Sequence, residues 1–274
     1  MMVNGSLDDR MKMYESVYER RMLAGVPHIV RLDMVAGHTF TRNMDKPYDE
    51  LFHDCMRTAV IELLEQCPNA RMAYAQSDEI TLVLNDSTAN GNYAPFYSNR
   101  VSKIESILSA RCTNAFVSRY MAVKDAGYPV ASRVAFDARV FDVPDVIEAY
   151  NCLLWRAKDA ERNAWQALGH AMFPQNELNG RSNAMVKEML EAKGVDFSMF
   201  PDDYWKGTLY VKDSANSIIE SHDVDYETVN TAYHHGYSMN DDEMRVLVHG
   251  TTACDMLPAT VLGTGWWQPS FLGM

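Results

Sequence analysis

Apolar residues recur at helical spacing over three long stretches of the chain, and short β-branched runs separate them. An amphipathic stretch over residues 7–23 stops at Gly25 and Pro27 and leads into HIVRLDM, which predicts a strand. From residue 47 to 67 the apolar set Leu51, Phe52, Cys55, Met56, Ala59, Val60, Leu63 and Leu64 predicts a helix, with Pro47 suited to its first turn. RMAYAQ and EITLVL are extended runs that meet at Ser77 and Asp78, which reads as a hairpin. After a polar loop, residues 97–123 predict a second long helix through Val101, Ile104, Ile107, Leu108, Ala115 and Phe116, ended by Gly127 and Pro129. SRVAFDARVF then alternates apolar and polar residues like a half-buried strand. The order β-α-β-β-α-β predicts an α+β fold of the ferredoxin-like kind, a split βαβ sheet with helices on one face.

A further helical region covers residues 146–173 and a shorter one residues 182–193. Beyond Lys212 the periodicity weakens, and no internal repeat or low-complexity tract is present. The pattern divides the chain into residues 1–143, a helical region 144–212, and an extension 213–274.

Composition changes this picture in two places. A chain of 274 residues with 47% hydrophobic and 23% charged positions is globular, with neither a disordered nor a collagen-like bias. No apolar run approaches the roughly 20 residues of a membrane span, and the opening lacks the apolar core of a secretory signal, so the expected location is the cytoplasm. Cys55, Cys67, Cys112, Cys152 and Cys254 lie far apart without metal-ligand spacing and read as reduced thiols. The net charge of −12 seems to exclude a nucleic-acid partner. It is segregated, however: residues 213–274 hold nine acids against Arg245, whereas residues 97–123 carry Arg100, Lys103, Arg111 and Arg119 against Glu105.

The informative chemistry is an acid at the end of the first strand, Asp33, and one in the hairpin, Asp78. Neighbouring strands can bring both to one face of the sheet, where two carboxylates repel unless hard cations sit between them. The same pattern also fits two ordinary turn acids. Arg100 and Lys103 are three apart, on one face near the start of a helix whose dipole favours anions, or else on a solvated surface. His38 is equally open to a structural or a functional reading. His28, His53, His170, His222, His234, His235 and His249 lack spacing that suggests a site.

The strings RLDMVAGHTFTRN, KPYDELF, AYAQSDEITLVL, FDARVF and WRAKDAERN resemble the tRNA-His guanylyltransferase family, most of all its bacterial-type Thg1-like members, which are 3′-to-5′ nucleic-acid polymerases. The resemblance implies a palm-like catalytic domain over residues 1–143 with a family-specific helical region packed on it. It implies Asp33 and Asp78 as metal-binding catalytic aspartates for two Mg²⁺ ions, with Glu79 the catalytic acid beside the second. Met34 stands where the family has a glycine whose carbonyl also binds metal; it keeps the carbonyl and loses glycine's freedom. The resemblance places His38, Lys46 and Ser77 near a nucleotide and its phosphates, Asp49 near the base, and Arg31, Arg100 and Lys103 on a triphosphate. ATP and GTP are the implied nucleotides, the 5′ end and acceptor stem of a tRNA the implied partner, and a homotetramer the implied assembly, for which Trp155, Trp165, Trp266 and Trp267 offer apolar surface or simply fill the core.

Where eukaryotic members carry a His-Ile-Asn-Asn string that reads the histidine anticodon, this chain has Glu161, Arg162, Asn163 and Ala164. That difference favours repair of 5′-truncated tRNAs over anticodon selection. Two alternatives stay open: a palm-type nucleotidyltransferase acting on another 5′-phosphorylated RNA or a small nucleotide, and a non-catalytic nucleotide- or RNA-binding relative.

Overall fold

The two runs that meet at Ser77 and Asp78 are almost wholly buried. In a computed structural model, which describes residues 6–86, 94–124, 134–212 and 216–222, they form β2 (Ala70–Gln76) and β3 (Glu79–Leu84) at the middle of a six-stranded sheet. The sheet order is β4-β1-β3-β2-β5-β6, with β1 His28–Met34, β4 Phe136–Asp142, β5 Thr208–Lys212 and β6 Ile218–Ser221, and every neighbouring pair is antiparallel. The predicted hairpin and the mixed α and β architecture are present as read.

Because side chains alternate across a strand, each face of the sheet has its own set of residues. One face presents Val30, Leu32 and Met34 from β1, Ala73 and Ala75 from β2, Ile80, Leu82 and Leu84 from β3, and Tyr210 from β5. These pack under α3 (Glu50–Gln66) and α4 (Val101–Val123), whose buried stripes are the periodic residues Cys55, Met56, Ala59, Val60, Leu63 and Leu64, and Ile104, Leu108, Cys112, Ala115 and Phe116. The other face presents Ile29, Met72, Tyr74, Val83, Leu209 and Val211 to α5 (Val146–Met172), which contributes Ala149, Leu153, Ala157 and Ala160. Helices therefore cover both faces, not one, and this double burial is why β2 and β3 read as continuous apolar runs. Beyond the sheet, α5 continues with Ala164, Trp165 and Leu168 into a separate cluster with Leu178, Val186 and Leu190 of α6 (Gln175–Leu178) and α7 (Asn183–Glu191).

Several boundaries differ from the sequence reading for local reasons. α1 (Leu7–Ser16) stops well short of residue 23 and buries none of its residues. α3 begins at Glu50, not at Pro47, because Asp49 is its N-cap: the Asp49 carboxylate accepts from the Phe52 and Asp45 backbone N–H groups at 2.9 and 3.1 Å. α4 begins at Val101 because Tyr97, Ser98 and Asn99 are all left-handed, with φ of 48°, 55° and 57°. Strands β5 and β6 were not anticipated. They follow α8 (Asp202–Lys206) and extend the sheet from the β2 edge, β6 being held also by the Arg57–Glu220 ion pair.

Cys55, Cys67 and Cys112 are buried free thiols and Cys152 is a partly buried one; burial pushes the Cys67 and Cys152 thiols up to about 11. Trp165 is core and Trp155 is exposed, while Cys254, Trp266, Trp267 and most of the acidic extension lie outside the described residues. Among the described residues no helix is long and apolar enough to cross a membrane.

Candidate active site

β1 ends and β3 begins at the same end of the sheet, and this topology brings Asp33 and Asp78 together. Asp33 sits directly opposite Glu79 on β3 and Asp137 on β4, and the Met34 N–H donates to the Asp78 carbonyl at 3.1 Å. Burial, then the charges of Asp78, Glu79 and Asp137, push the Asp33 carboxyl up to about 6, with Arg139 opposing them. The Asp78 carboxyl is also raised, chiefly by burial, against bonds from its own backbone and Ser77 and the nearby charge of His38. Gly37, at the start of α2 (Gly37–Phe40), is the residue that makes room: a Cβ there would lie 2.0 Å from Asp78 Oδ2.

Asp137 was missed by the sequence reading. Its signal was the FDAR string, where an acid on an alternating edge strand falls on the same face as Asp33 once the register is known. Met34 turns its side chain away from this face. Its side chain is 2% exposed in the core beneath α3 and α4, and its φ is not among the positive values that would demand glycine.

Glu79 does not project freely beside the aspartates. Arg156 of α5 clamps it with Nε to Oε1 at 2.6 Å and Nη2 to Oε2 at 2.9 Å, and Arg31 Nη2 lies 3.5 Å from Oε2. Arg156 also reaches Asp159 at 2.9 Å, which in turn pairs with Arg162. Arg31 is thus engaged by a carboxylate and by Trp155, whose ring centroid lies 5.4 Å from its guanidinium carbon.

Next to the aspartates opens a pocket of about 280 Å³. Lys46, Asp49 and Ser77 line it, so three of the residues predicted to meet a nucleotide are brought to one cavity, with Gln76 of β2 and Asn163 and Ala164 of α5. The Asp49 carboxylate is already spent on its cap. The pocket's far wall carries a group that sequence spacing could not reveal: His53 Nε2 lies 2.6 Å from Asp203 Oδ2, and Tyr48 OH donates to the same oxygen at 3.3 Å. Burial pushes the Asp203 carboxyl up, but the bond and charge of His53, with His222 and Tyr48, outweigh it and hold the carboxyl below its ordinary value. His38 is exposed on α2 beside Asp78.

Arg100 and Lys103 do not join this site within one chain. They begin α4 at the opposite end of the sheet, where Asn99 is tied to Asp86 (2.6 Å) and stands 3.5 Å from His28. His28 is five residues from Asp33 along β1, about 17 Å at the rise of an antiparallel strand. There Arg100 pairs with Glu19 at 3.1 Å and Lys103 stands over the Tyr97 ring. His28 itself is fully buried between Asp86 (2.9 Å) and Asp142 (2.8 Å), a structural role.

The donor set suits a hard cation. Asp33 and Asp78 offer carboxylate oxygens whose mutual repulsion a cation would relieve, and no group of three or more His, Cys, Asp or Glu side chains among the described residues is placed to hold a metal. Two carboxylates with the rest of the shell left to water and phosphate is the way Mg²⁺ is usually held.

Comparison with known proteins gives the family. The profile of the tRNAHis guanylyltransferase (Thg1) family matches residues 8–144. An uncharacterised protein of Acanthamoeba polyphaga mimivirus is 29% identical over 212 residues, covering 69% of this chain and 70% of that protein. The tRNA(His) guanylyltransferase of Schizosaccharomyces pombe is 27% identical over 215 residues, covering 73% and 79%. Among solved structures, a bacterial tRNA(His) guanylyltransferase-like protein in complex with ATP superposes with a TM-score of 0.74 at 25% identity, over 83% of this chain and 97% of that one. The Saccharomyces cerevisiae enzyme shares the fold, with a TM-score of 0.64 at 21% identity over 78% and 97%. Sheet, paired aspartates and relatives together define a nucleotidyltransferase. The chain belongs to the tRNA-His guanylyltransferase family.

Proposed function

We propose that the protein adds nucleotides to the 5′ end of a tRNA, extending it in the 3′-to-5′ direction, with the β4-β1-β3-β2 half of the sheet serving as a ferredoxin-like, palm-type catalytic surface. The observation that carries this reading is the meeting of Asp33 and Asp78 at one strand end beside a pocket lined by Lys46 and Ser77. Relatives named as tRNA(His) guanylyltransferases and a structural relative that binds ATP support the substrate classes. A homotetramer belongs to the same reading.

In this reaction an oxygen of the RNA 5′-phosphate attacks the α-phosphorus of ATP, pyrophosphate leaves, and a 5′-adenylate forms. The 3′-hydroxyl of an incoming GTP or other nucleotide then gives up its proton and attacks the 5′-phosphorus, and AMP leaves. Asp33 and Asp78, with the Met34 carbonyl, would hold two Mg²⁺ ions, which when bound acidify the attacking hydroxyl and neutralise the leaving phosphates. Lys46 and Ser77 orient the phosphates, and the pocket between the Thr41–Asp49 segment and α5 takes the base. Glu79 acts through its clamp, fixing the first residue of β3 and with it the adjacent Asp78. His38 stands exposed beside Asp78, where its ring can face the phosphates. Phosphoryl transfer of this kind depends on positioning and charge neutralisation, which these residues provide.

The test is transfer of labelled nucleotide onto a 5′-truncated tRNA, an unrelated 5′-phosphorylated RNA and free nucleotides. Asp33→Ala and Asp78→Ala are expected to abolish transfer while leaving the circular dichroism spectrum intact. Undiminished transfer by either variant would sink the mechanism, and transfer without preference for tRNA would move the substrate to another 5′-phosphorylated RNA or a small nucleotide.

A further inference from the structure

Among the described residues, the face that carries Asp33 is only half covered. Strand register resolves it into rungs: Glu79, Asp33 and Asp137 at the catalytic end, then Thr81, Arg31 and Arg139, then Val83, Ile29 and Phe141. α5 buries Val83 and Ile29, yet no β4 residue enters that core, and Asp137, Arg139 and Phe141 are all exposed. Among the described residues nothing packs over the strip along β1 and β4, and it begins one rung, about 7 Å, from Asp33.

Two features of the strip suit a ligand. Arg31 and Arg139 stand directly opposite each other, a like-charge cross-strand pair that costs stability on its own. Arg31 is steadied by Glu79, but among the described residues Arg139 has no ion-pair partner. At the strip's border Trp155 leaves 53% of its surface in solvent, with the guanidinium groups of Arg31 and Arg156 at 5.4 and 4.6 Å from its ring centroid. A large aromatic ring beside paired guanidiniums matches the two halves of a nucleotide. Arginine forks fit phosphate oxygens, and an indole face takes a base by stacking.

We infer that this strip seats the phosphorylated 5′ end of the acceptor RNA, Arg139 together with Arg31 taking the terminal phosphate and Trp155 stacking the terminal base. The inference rests on the proposed RNA-extending function and assigns the RNA end to the open sheet face, leaving the pocket at Lys46 and Ser77 for the nucleoside triphosphate. The two ligands then approach Asp33 and Asp78 from different sides, as a displacement between them requires. Arg139 and Trp155 are both exposed and neither belongs to a core cluster.

Binding of a fluorescent acceptor-stem hairpin to the full chain, in EDTA and without nucleotide, tests this separately from catalysis. A 5′-phosphorylated hairpin is compared with the same hairpin ending in a 5′-hydroxyl. Arg139→Gln is expected to weaken the phosphorylated hairpin about tenfold and the hydroxyl form less than about twofold, as loss of one charged phosphate contact should. Trp155→Ala is expected to weaken both by about tenfold, with Trp155→Phe restoring most of the loss. ATP and GTP affinities should stay the same in all three variants. If Arg139→Gln weakens ATP or GTP as much as the hairpin, the strip is a triphosphate site and the inference fails. Equal hairpin binding by wild type and variants also overturns it while leaving the RNA-extending reading intact. So does a Trp155→Ala protein that sediments as a smaller species with RNA binding unchanged, which would assign the strip to contact between copies of the chain. A wild type that binds neither hairpin defeats both readings.

Discussion

Glu79 shows how a residue type can be legible and its engagement not. An acid beside Asp78 reads as catalytic chemistry, but at 7% exposure its charge is met by two arginines, one of them 77 positions away in sequence. Removing only Arg156 leaves that buried carboxylate with Arg31 alone, at 3.5 Å, so Arg156→Met should cost about 1–3 kcal/mol in chemical denaturation, and adding Glu79→Gln should recover much of it. A loss below about 1 kcal/mol would show that the clamp is not what holds β3 to α5. Asp33 gives the opposite electrostatic case. Its carboxyl is raised to about 6 by burial and by Asp78, Glu79 and Asp137, so between the ordinary value and 6 the folded protein keeps a proton the unfolded chain has released. Stability of the metal-free protein should therefore fall as pH rises across that window. Thermal unfolding from pH 4.5 to 7 should show this slope, flattened in Asp33→Asn, and an unchanged slope in that variant would place the proton elsewhere.

At the scale of elements, α3 is tied at both ends by residues that pattern reading used for other purposes or passed over. Asp49 caps its N-terminus, and Asp49→Ala should lower stability by about 1 kcal/mol, with Asp49→Asn costing less because asparagine keeps the cap to Phe52 and loses only the bond from the Asp45 N–H. Its last carbonyls are taken by Lys212 Nζ, which donates to Leu64 O at 2.7 Å and Cys67 O at 2.9 Å, and by Arg111, which donates to Gln66 O at 2.6 Å. Lys212 is 4% exposed, so Lys212→Met strips partners from buried carbonyls and should cost about 2 kcal/mol by denaturant titration. The central elements were legible because helical and strand periodicities are strong where one face is buried and the other is not. Strands β5 and β6 were not, since their few residues pair with β2 and each other and carry too short a pattern to stand out.

Over the whole molecule, the charge of −12 first argued against an RNA partner, and its segregation weakened that argument. The structure sharpens where the acidic extension can be cut. A truncation before Asp213 removes β6 with its Arg57–Glu220 pair and uncovers β5, whereas a stop after His222 keeps the sheet whole. The longer truncation should melt lower, and the shorter one should melt within a few degrees of the full chain. If the extension screens the RNA-binding face, the protein ending at His222 will bind the acceptor hairpin more tightly at low salt, with the difference shrinking as salt rises. Equal binding at every salt concentration would place the extension away from the RNA.

Sequence by itself determined the order of the first four strands and two helices, and singled out the acids Asp33 and Asp78 and the residues Lys46 and Ser77 that line the pocket, because these depend on local periodicity and on short strings that keep their spacing. Tertiary structure alone decided which charges meet. Register put Asp137 and Arg139 beside β1, the crossing of α5 gave Glu79 to Arg156 and left Trp155 exposed, and the direction of α4 carried Arg100 and Lys103 to the far end of the sheet. The physical reason is that charge–charge energies depend on through-space distance and burial, and neither is encoded in the separation of residues along the chain.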